Sequence, residues 1–323
     1  MRGVTFGCRS RKDRDARNRL NPLKIPLSQT SPSPIRALSA PAPVTAYLSL
    51  VIGACGMGMS PLFVRIAAEA GVGPYGSAFW RVFLALPFLA VWAKIEERGG
   101  PSRPNFKTPM IWAGVLFGGD LIFWHLSILK TSIANATFLS TTAPVWVMLV
   151  TAIVLKEKIS RAALAGLALC LIGGSTLIGE TLQFNPHHWL GDLFGLMTSF
   201  FFGMYFFAIK GARAYAGAGR TTFAASAVTS ACLLVFTLAT GDILMPATPK
   251  GAIALVSMAA ISQALGQGLL SVALGKLPTF FSALVIFLEA VAAAALAWIF
   301  LDEPLSILQS LGGALILFGI FIA

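Results

Sequence analysis

The chain is 323 residues long, 56% apolar and only 11% charged, with a mean hydropathy of +0.79. Soluble domains carry about 25% charged residues, so most of this surface cannot face water and a soluble enzyme is excluded. The net charge of +11 does not mark a nucleic-acid-binding face either. Nine of the 24 Lys and Arg fall in the first 36 residues, and most of the rest lie between apolar segments.

In chain order, residues 1–43 read as a disordered, basic cytosolic tail. Six prolines between Pro22 and Pro43 oppose helix there. Ala40-Pro41-Ala42 mimics a signal-peptide cleavage site, but no apolar stretch precedes it, and Asp13 and Asp15 count against a transit peptide. Ten apolar segments follow, each of the roughly 17–25 residues that a bilayer span needs. They lie at about 46–64, 75–93, 110–128, 134–154, 162–178, 190–210, 222–241, 251–273, 279–300 and 306–323. Short loops join them and leave no length for a soluble domain. The expectation is an all-α integral membrane protein of ten transmembrane helices.

Basic residues in the loops orient the chain. With the N-terminus in the cytosol, the inner loops hold eleven Lys and Arg, among them Lys94, Arg98, Arg103, Lys156, Lys210 and Arg213. The outer loops hold three: Arg65, Lys130 and Lys250. Both termini are therefore expected inside. Leu155-Lys156-Glu157-Lys158-Ile159-Ser160 then recurs 146 residues later as Leu301-Asp302-Glu303-Pro304-Leu305-Ser306. At the same offset Lys130 matches Lys276, Gly166 matches Gly312 and Gly173 matches Gly319. The chain reads as two five-helix repeats, 44–180 and 181–323. Five is odd, so the second copy is inverted, an arrangement that places a solute site near midplane between the halves.

These residues carry a family resemblance. Arg81 in Phe79-Trp80-Arg81, the Lys130–Asn135 entry into span four, Thr142-Ala143-Pro144-Val145 and the Leu-x-Glu-x-[Ile/Leu]-Ser hinge resemble EamA-type units of the drug/metabolite transporter superfamily. The likeness covers residues 45 onward. Ala290 and Ala227 stand where a second Pro144 and a second Arg81 would be. The resemblance implies a secondary transporter working by alternating access in a bacterial inner membrane. It further implies a cavity between spans one, three, four, six, eight and nine, and export of an amino-acid-like or amphiphilic metabolite, possible coupling being to protons. Alternatives are an antiporter of nucleotide-sugar or S-adenosylmethionine type and, in another class, a membrane-bound enzyme. A homodimer stays open.

Other motifs have plainer explanations. Gly71-Val72-Gly73-Pro74-Tyr75-Gly76 matches GxGxxG by letter, but it joins two membrane spans and lacks the strand a dinucleotide site needs. His187-His188-Trp189 has no carboxylate or cysteine at ligand spacing, and Cys8, Cys55, Cys170 and Cys232 stand far apart, so no metal, disulfide or cofactor is expected. Pro61 and Pro144 should kink spans one and four. Gly114/Gly118 and Gly191/Gly195 should let neighbouring helices of the same chain approach closely. Ser306 and Gln309 fit a capping box.

The informative residues are ionisable and inside the membrane, where such groups are costly enough to mark function. Asp120 lies roughly 15 Å deep in span three at 1.5 Å per residue. Glu289 sits at similar depth in span nine, and Arg81 is in the outer part of span two. Two acids face one guanidinium, so an Arg81 pair with one of them would leave the other to take a proton or meet a cationic group. Helical spacing puts Phe117, Asp120, Trp124 and Ser127 on one face, Thr137, Thr141 and Pro144 on another, and Ser282, Ile286, Glu289 and Ala293 on a third. Candidate site residues are Asp120, Glu289, Arg81, Trp124, Thr137, Thr141, Tyr205, Gln263 and Gln267. Asp120 and His125, five residues apart, point about 140° from each other, which weakens the enzyme alternative.

Overall fold

The computed structural model describes residue 3 and residues 43–98, 107–131, 133–178, 188–301 and 306–323. The rest of the tail, Arg103, His187 and the Asp302–Leu305 part of the repeated hinge lie outside the described residues. From Ala42 to Ala323 the chain forms one compact unit, and every regular element described in it is helical.

Among the described residues, nine helical stretches are long and apolar enough to cross a membrane: Val44–Glu69, Pro74–Glu97, Thr108–Lys130, Asn135–Val154, Arg161–Ile178, Trp189–Arg213, Ala218–Thr240, Pro249–Leu274 and Thr279–Leu296, taken as spans one to nine. Span ten, Ile307–Ile322, has 16 residues and rises only about 24 Å. Its start carries the expected capping box, Ser306 and Gln309 bonding each other's backbone N–H at 3.0 and 3.1 Å. It packs along span five, the other short one.

That packing shows the inverted repeat in atomic terms. Gly166 lies against the backbone of Gly319, and Gly173 against that of Gly312. The repeat partners of the sequence thus meet crosswise, as antiparallel copies must. Between them the Cys170 thiol reaches the Ile316 carbonyl at 3.6 Å. A Cβ at Gly173 would sit 2.6 Å from the Gly312 oxygen, and backbone cannot yield as a flexible side chain would. Gly173→Val is therefore expected to cost about 1–3 kcal/mol through overpacking, read as a lower melting temperature in detergent, while Gly313→Ala, whose Cβ would make an ordinary contact 3.9 Å from Val291 Cγ1, should not. The two GxxxG pairs also pack within the chain. Gly114 and Gly118 lie on Val228 and Cys232 of span seven, and Gly191 and Gly195 lie on Thr131 and Leu139.

Five spans are interrupted, and the interruptions position the site. Span one breaks at Met59 and span four at Thr142, each two residues before the proline that forces it. Span two breaks at Leu84, ahead of Pro87. Span eight widens into a π-helical stretch over Met258–Gln267. Span nine breaks between Leu284 and Phe287 without a proline, through tightened turns in which Ile286 N–H bonds Ala283 O at 3.1 Å and Leu288 N–H bonds Val285 O at 2.9 Å. The span-nine break was not legible in the sequence, and it and the span-two break each place a charge at a half-helix end.

Candidate functional site

Arg81 occupies the last turn of the half-helix Pro74–Phe83, and Glu289 the first turn of the half-helix Phe287–Leu301. A cation at a helix C-terminus and an anion at an N-terminus each gain about 0.3–1 kcal/mol at exposed sites, and more when partly buried. The broken helices thus help to hold these charges inside the membrane. Asp120 lies in the unbroken span three, 7% exposed.

These three line one cavity of about 940 Å³, together with Trp124, Thr137, Thr141 and Gln267. It extends from the level of Asp120 and Glu289 to the face that carries the connection between spans one and two, where Ala68, Val72, Ile128 and Leu129 line its mouth. Toward the opposite face Tyr205, Phe206, Leu274, Leu277 and Phe280 fill the space with tightly packed side chains. There Lys210 donates to Leu277 O and Arg213 to Ser271 O, both at 3.0 Å. The cavity is open to one membrane face and shut to the other.

Arg81 does not pair with either acid. Its Nε donates to Gln263 Oε1 at 3.2 Å and its Nη1 to Ser60 Oγ at 3.0 Å. The expected ion pair is replaced by neutral acceptors from spans eight and one, because the break at Met59 turns Ser60 toward span two. Arg81 still feels the charge of both Glu289 and Asp120 across the cavity. Among the described residues, neither carboxylate has a hydrogen-bond or ion-pair partner.

Two of the nine candidates stand behind the wall. Gln263, 1% exposed, holds Arg81 and donates to Ser226 Oγ at 3.2 Å. Tyr205, 1% exposed, donates its hydroxyl to Gln267 Oε1 at 3.1 Å and stacks on Phe117, ring centroids 5.0 Å apart. Both orient lining residues rather than face the cavity. Ser127, assigned to the Asp120 face by spacing, instead donates to Gly191 O at 2.8 Å, fixing span three to span six. Pro144 and Ser282 are likewise buried off the lining. Span two is an additional wall, through Ser77 and Arg81. His125 also lines the cavity, its Nδ1 2.6 Å from Leu121 O. The carbonyl can only accept, so Nδ1 carries the proton and Nε2 is the acceptor. That Nε2 and the Ser77 hydroxyl have no partner among the described residues. Ser60 and Ser77 escaped the sequence reading because single serines in a span are common, and only their facing partners distinguish them.

The pattern of the EamA-like transporter family matches residues 44–178 and again residues 189–323. The chain belongs to the EamA-like transporter family. Its membership of a transporter family sets the membrane-enzyme alternative aside. Two uncharacterized transporters of Helicobacter pylori are similar in sequence. One, from strain J99, is 27% identical over 165 residues, which is 49% of this chain and 52% of that protein. The other, from strain 26695, is 28% identical over 123 residues, 36% of this chain and 39% of that protein. The matches thus span about half or less of those relatives. One solved crystal structure superposes with a TM-score of 0.76 over 86% of this chain and 96% of its own, at 14% identity; that likeness concerns the fold. This EamA-like chain is an integral membrane protein of a transporter family, and its cavity has the size and mixed polarity of a small-molecule site.

Proposed function

We propose that this transporter works by alternating access, moves an amino-acid-like or amphiphilic solute outward, and uses protons at Asp120 and Glu289. The observation that carries the reading is the pair of cavity-lining carboxylates, Asp120 and Glu289, that have no donor among the described residues and share the cavity with Arg81. An ammonium group or a proton satisfies the acids, and Arg81, whose Nη2 has no hydrogen-bond partner among the described residues, satisfies a substrate carboxylate. Trp124, Phe117 and Ile286 supply apolar wall for the remainder. A polyanion of nucleotide-sugar type would need more cations beside the acids than Arg81 provides; Arg65, which also lines the cavity, is exposed and lies 3.7 Å from Glu69, and for that reason the larger-metabolite alternative is not favoured. The test is counterflow in proteoliposomes with a panel of labelled amino acids and amphiphilic amines, with and without a pH gradient. Saturable exchange that responds to the gradient is expected. A panel with no exchanged member, or exchange indifferent to pH, rejects the substrate class or the coupling respectively.

With both termini in the cytosol of a bacterial inner membrane, the open mouth faces outward. Single cysteines replacing exposed Tyr215 and Ala247, in a chain freed of its natural cysteines, report this. An impermeant thiol reagent added outside cells is expected to label Ala247→Cys and spare Tyr215→Cys; the reverse pattern inverts the orientation.

A further inference from the structure

Glu96 ends span two and Asp242 follows span seven. They stand 146 residues apart, the offset that relates Lys130 to Lys276, so they are equivalent positions of the two repeats. Each carboxylate caps the helix that the other repeat presents to it. Asp242 Oδ2 accepts from the backbone N–H of Tyr75 at 2.7 Å and of Gly76 at 3.0 Å, at the start of span two. Glu96 accepts from Ala218 N–H through Oε1 and from Gly219 N–H through Oε2, both at 2.8 Å, at the start of span seven. Anionic acceptors on helix N-termini make charge-assisted bonds, roughly twice as strong as neutral ones. Glycines clear the approach: a Cβ at Gly73 would overlap the Asp242 carboxylate, and one at Gly217 would overlap that of Glu96. Near Asp242, Gly73 N–H to Ile243 O at 2.9 Å and Trp80 Nε1–H to Leu244 O at 2.7 Å add to the attachment.

The symmetry says what these caps do. In a chain open to one face only, the two inverted repeats hold different conformations, and a contact made or broken by switching is present at one face and missing at the other. The Lys210 and Arg213 bonds at the shut face have no counterpart at the open one for a plainer reason, since side chains without donors hold the equivalent positions. Their repeat equivalents are Val64 and Ala67, and Val64 lines the open cavity. The carboxylate caps are formed at both faces at once, so they do not depend on which face is open. We propose that Glu96 and Asp242 pin spans two and seven together at both membrane faces, making the pair a fixed axis against which the other cavity-lining spans move. Arg81, carried on span two, then stays still while spans three and nine bring Asp120 and Glu289 past it.

This inference rests on the alternating-access reading, and distance measurements between paired spin labels separate the two. In the full chain without its natural cysteines, the pairs Phe83→Cys with Leu238→Cys and Ile95→Cys with Tyr215→Cys report the axis toward either face. Leu129→Cys with Ile299→Cys reports the mouth; all six positions are exposed. Between about pH 5 and pH 8, the range in which perturbed side chains titrate near neutrality, the mouth distance is expected to shift. The axis distances should change by no more than the roughly 1–2 Å of ordinary helix adjustment. Asp242→Ala should broaden the Phe83–Leu238 distances and Glu96→Ala the Ile95–Tyr215 distances, each only at its own face; Asp242→Asn and Glu96→Gln, which keep one acceptor, give the smaller effect if the alanine variants fold poorly. Axis distances that shift with the mouth, or capping variants that leave both distributions unchanged, overturn the fixed axis alone. A mouth that moves neither with pH nor in Glu289→Gln overturns alternating access, and the axis with it.

Discussion

Glu289→Gln is expected to flatten the dependence of initial transport rate on pH between about 5 and 8. As pH falls, the carboxylate takes up a proton and stops attracting a cationic group; the amide is fixed in that neutral state at every pH. The variant should therefore run at one rate throughout, the rate of the wild type's acidic limb, and lose at least about tenfold at pH 8, a difference of 1.4 kcal/mol. The titratable and charged groups that line the cavity with this acid are Arg81, Asp120, His125 and, at the mouth, Arg65. Asp120→Asn should have a similar effect on rate, because its carboxylate too has no donor among the described residues. Neither amide should harm folding. Burying an acid in the middle of a span costs about 2.5–3.5 kcal/mol on the insertion scale for Asp, and the amide removes the charge without changing shape. The measurement is initial uptake into proteoliposomes at stepped pH, beside melting temperatures in detergent. Two variants with normal melting and wild-type pH profiles would make the acids packing residues and end the proton mechanism.

Arg81→Met is expected to be the most damaging single substitution. It leaves both acids without a cation and strips Gln263 Oε1 of its charged donor in a site where Gln263 is 1% exposed. Unsatisfied buried acceptors cost about 1–3 kcal/mol each, so a stability loss of about 3 kcal/mol and at least a hundredfold loss of transport follow. Arg81→Lys keeps the charge but not the fork, since one ammonium on a flexible stem cannot reproduce the planar donors that reach Ser60 and Gln263 together. It should fold nearly normally and transport about tenfold more slowly. Combining Arg81→Met with Glu289→Gln should recover part of the melting temperature, by removing one of the two stranded charges, but not transport. An Arg81→Met protein with wild-type melting and uptake would show that the guanidinium is only a spacer between spans.

The sequence alone determined that the chain is a membrane protein, where it crosses, and that it is duplicated. Lipid imposes its requirement residue by residue, so apolar length is readable without knowing any partner. The 146-residue repeat likewise survives in single letters such as Lys130 and Lys276, and an odd number of helices per copy forces inversion by counting alone. The depth of Asp120, Glu289 and Arg81 was legible for the same local reason: 1.5 Å per residue converts sequence position into distance along the span. Prolines announced the breaks in spans one and four because the missing N–H is a property of the residue itself. Neighbours across helices are another matter. Helical spacing told which residues share a face but not which helix that face meets, so Ser127 was aimed at the cavity and in fact fastens span six. Arg81 was matched to an acid by charge, whereas the tertiary structure gave it Gln263 and Ser60, from spans eight and one. The proline-free break in span nine, the cavity open to one face only, and the crossing of Glu96 and Asp242 between repeats came from the same source. Each depends on contacts between residues far apart in the chain, and those are decided by how ten helices fill space together, which no single helix specifies.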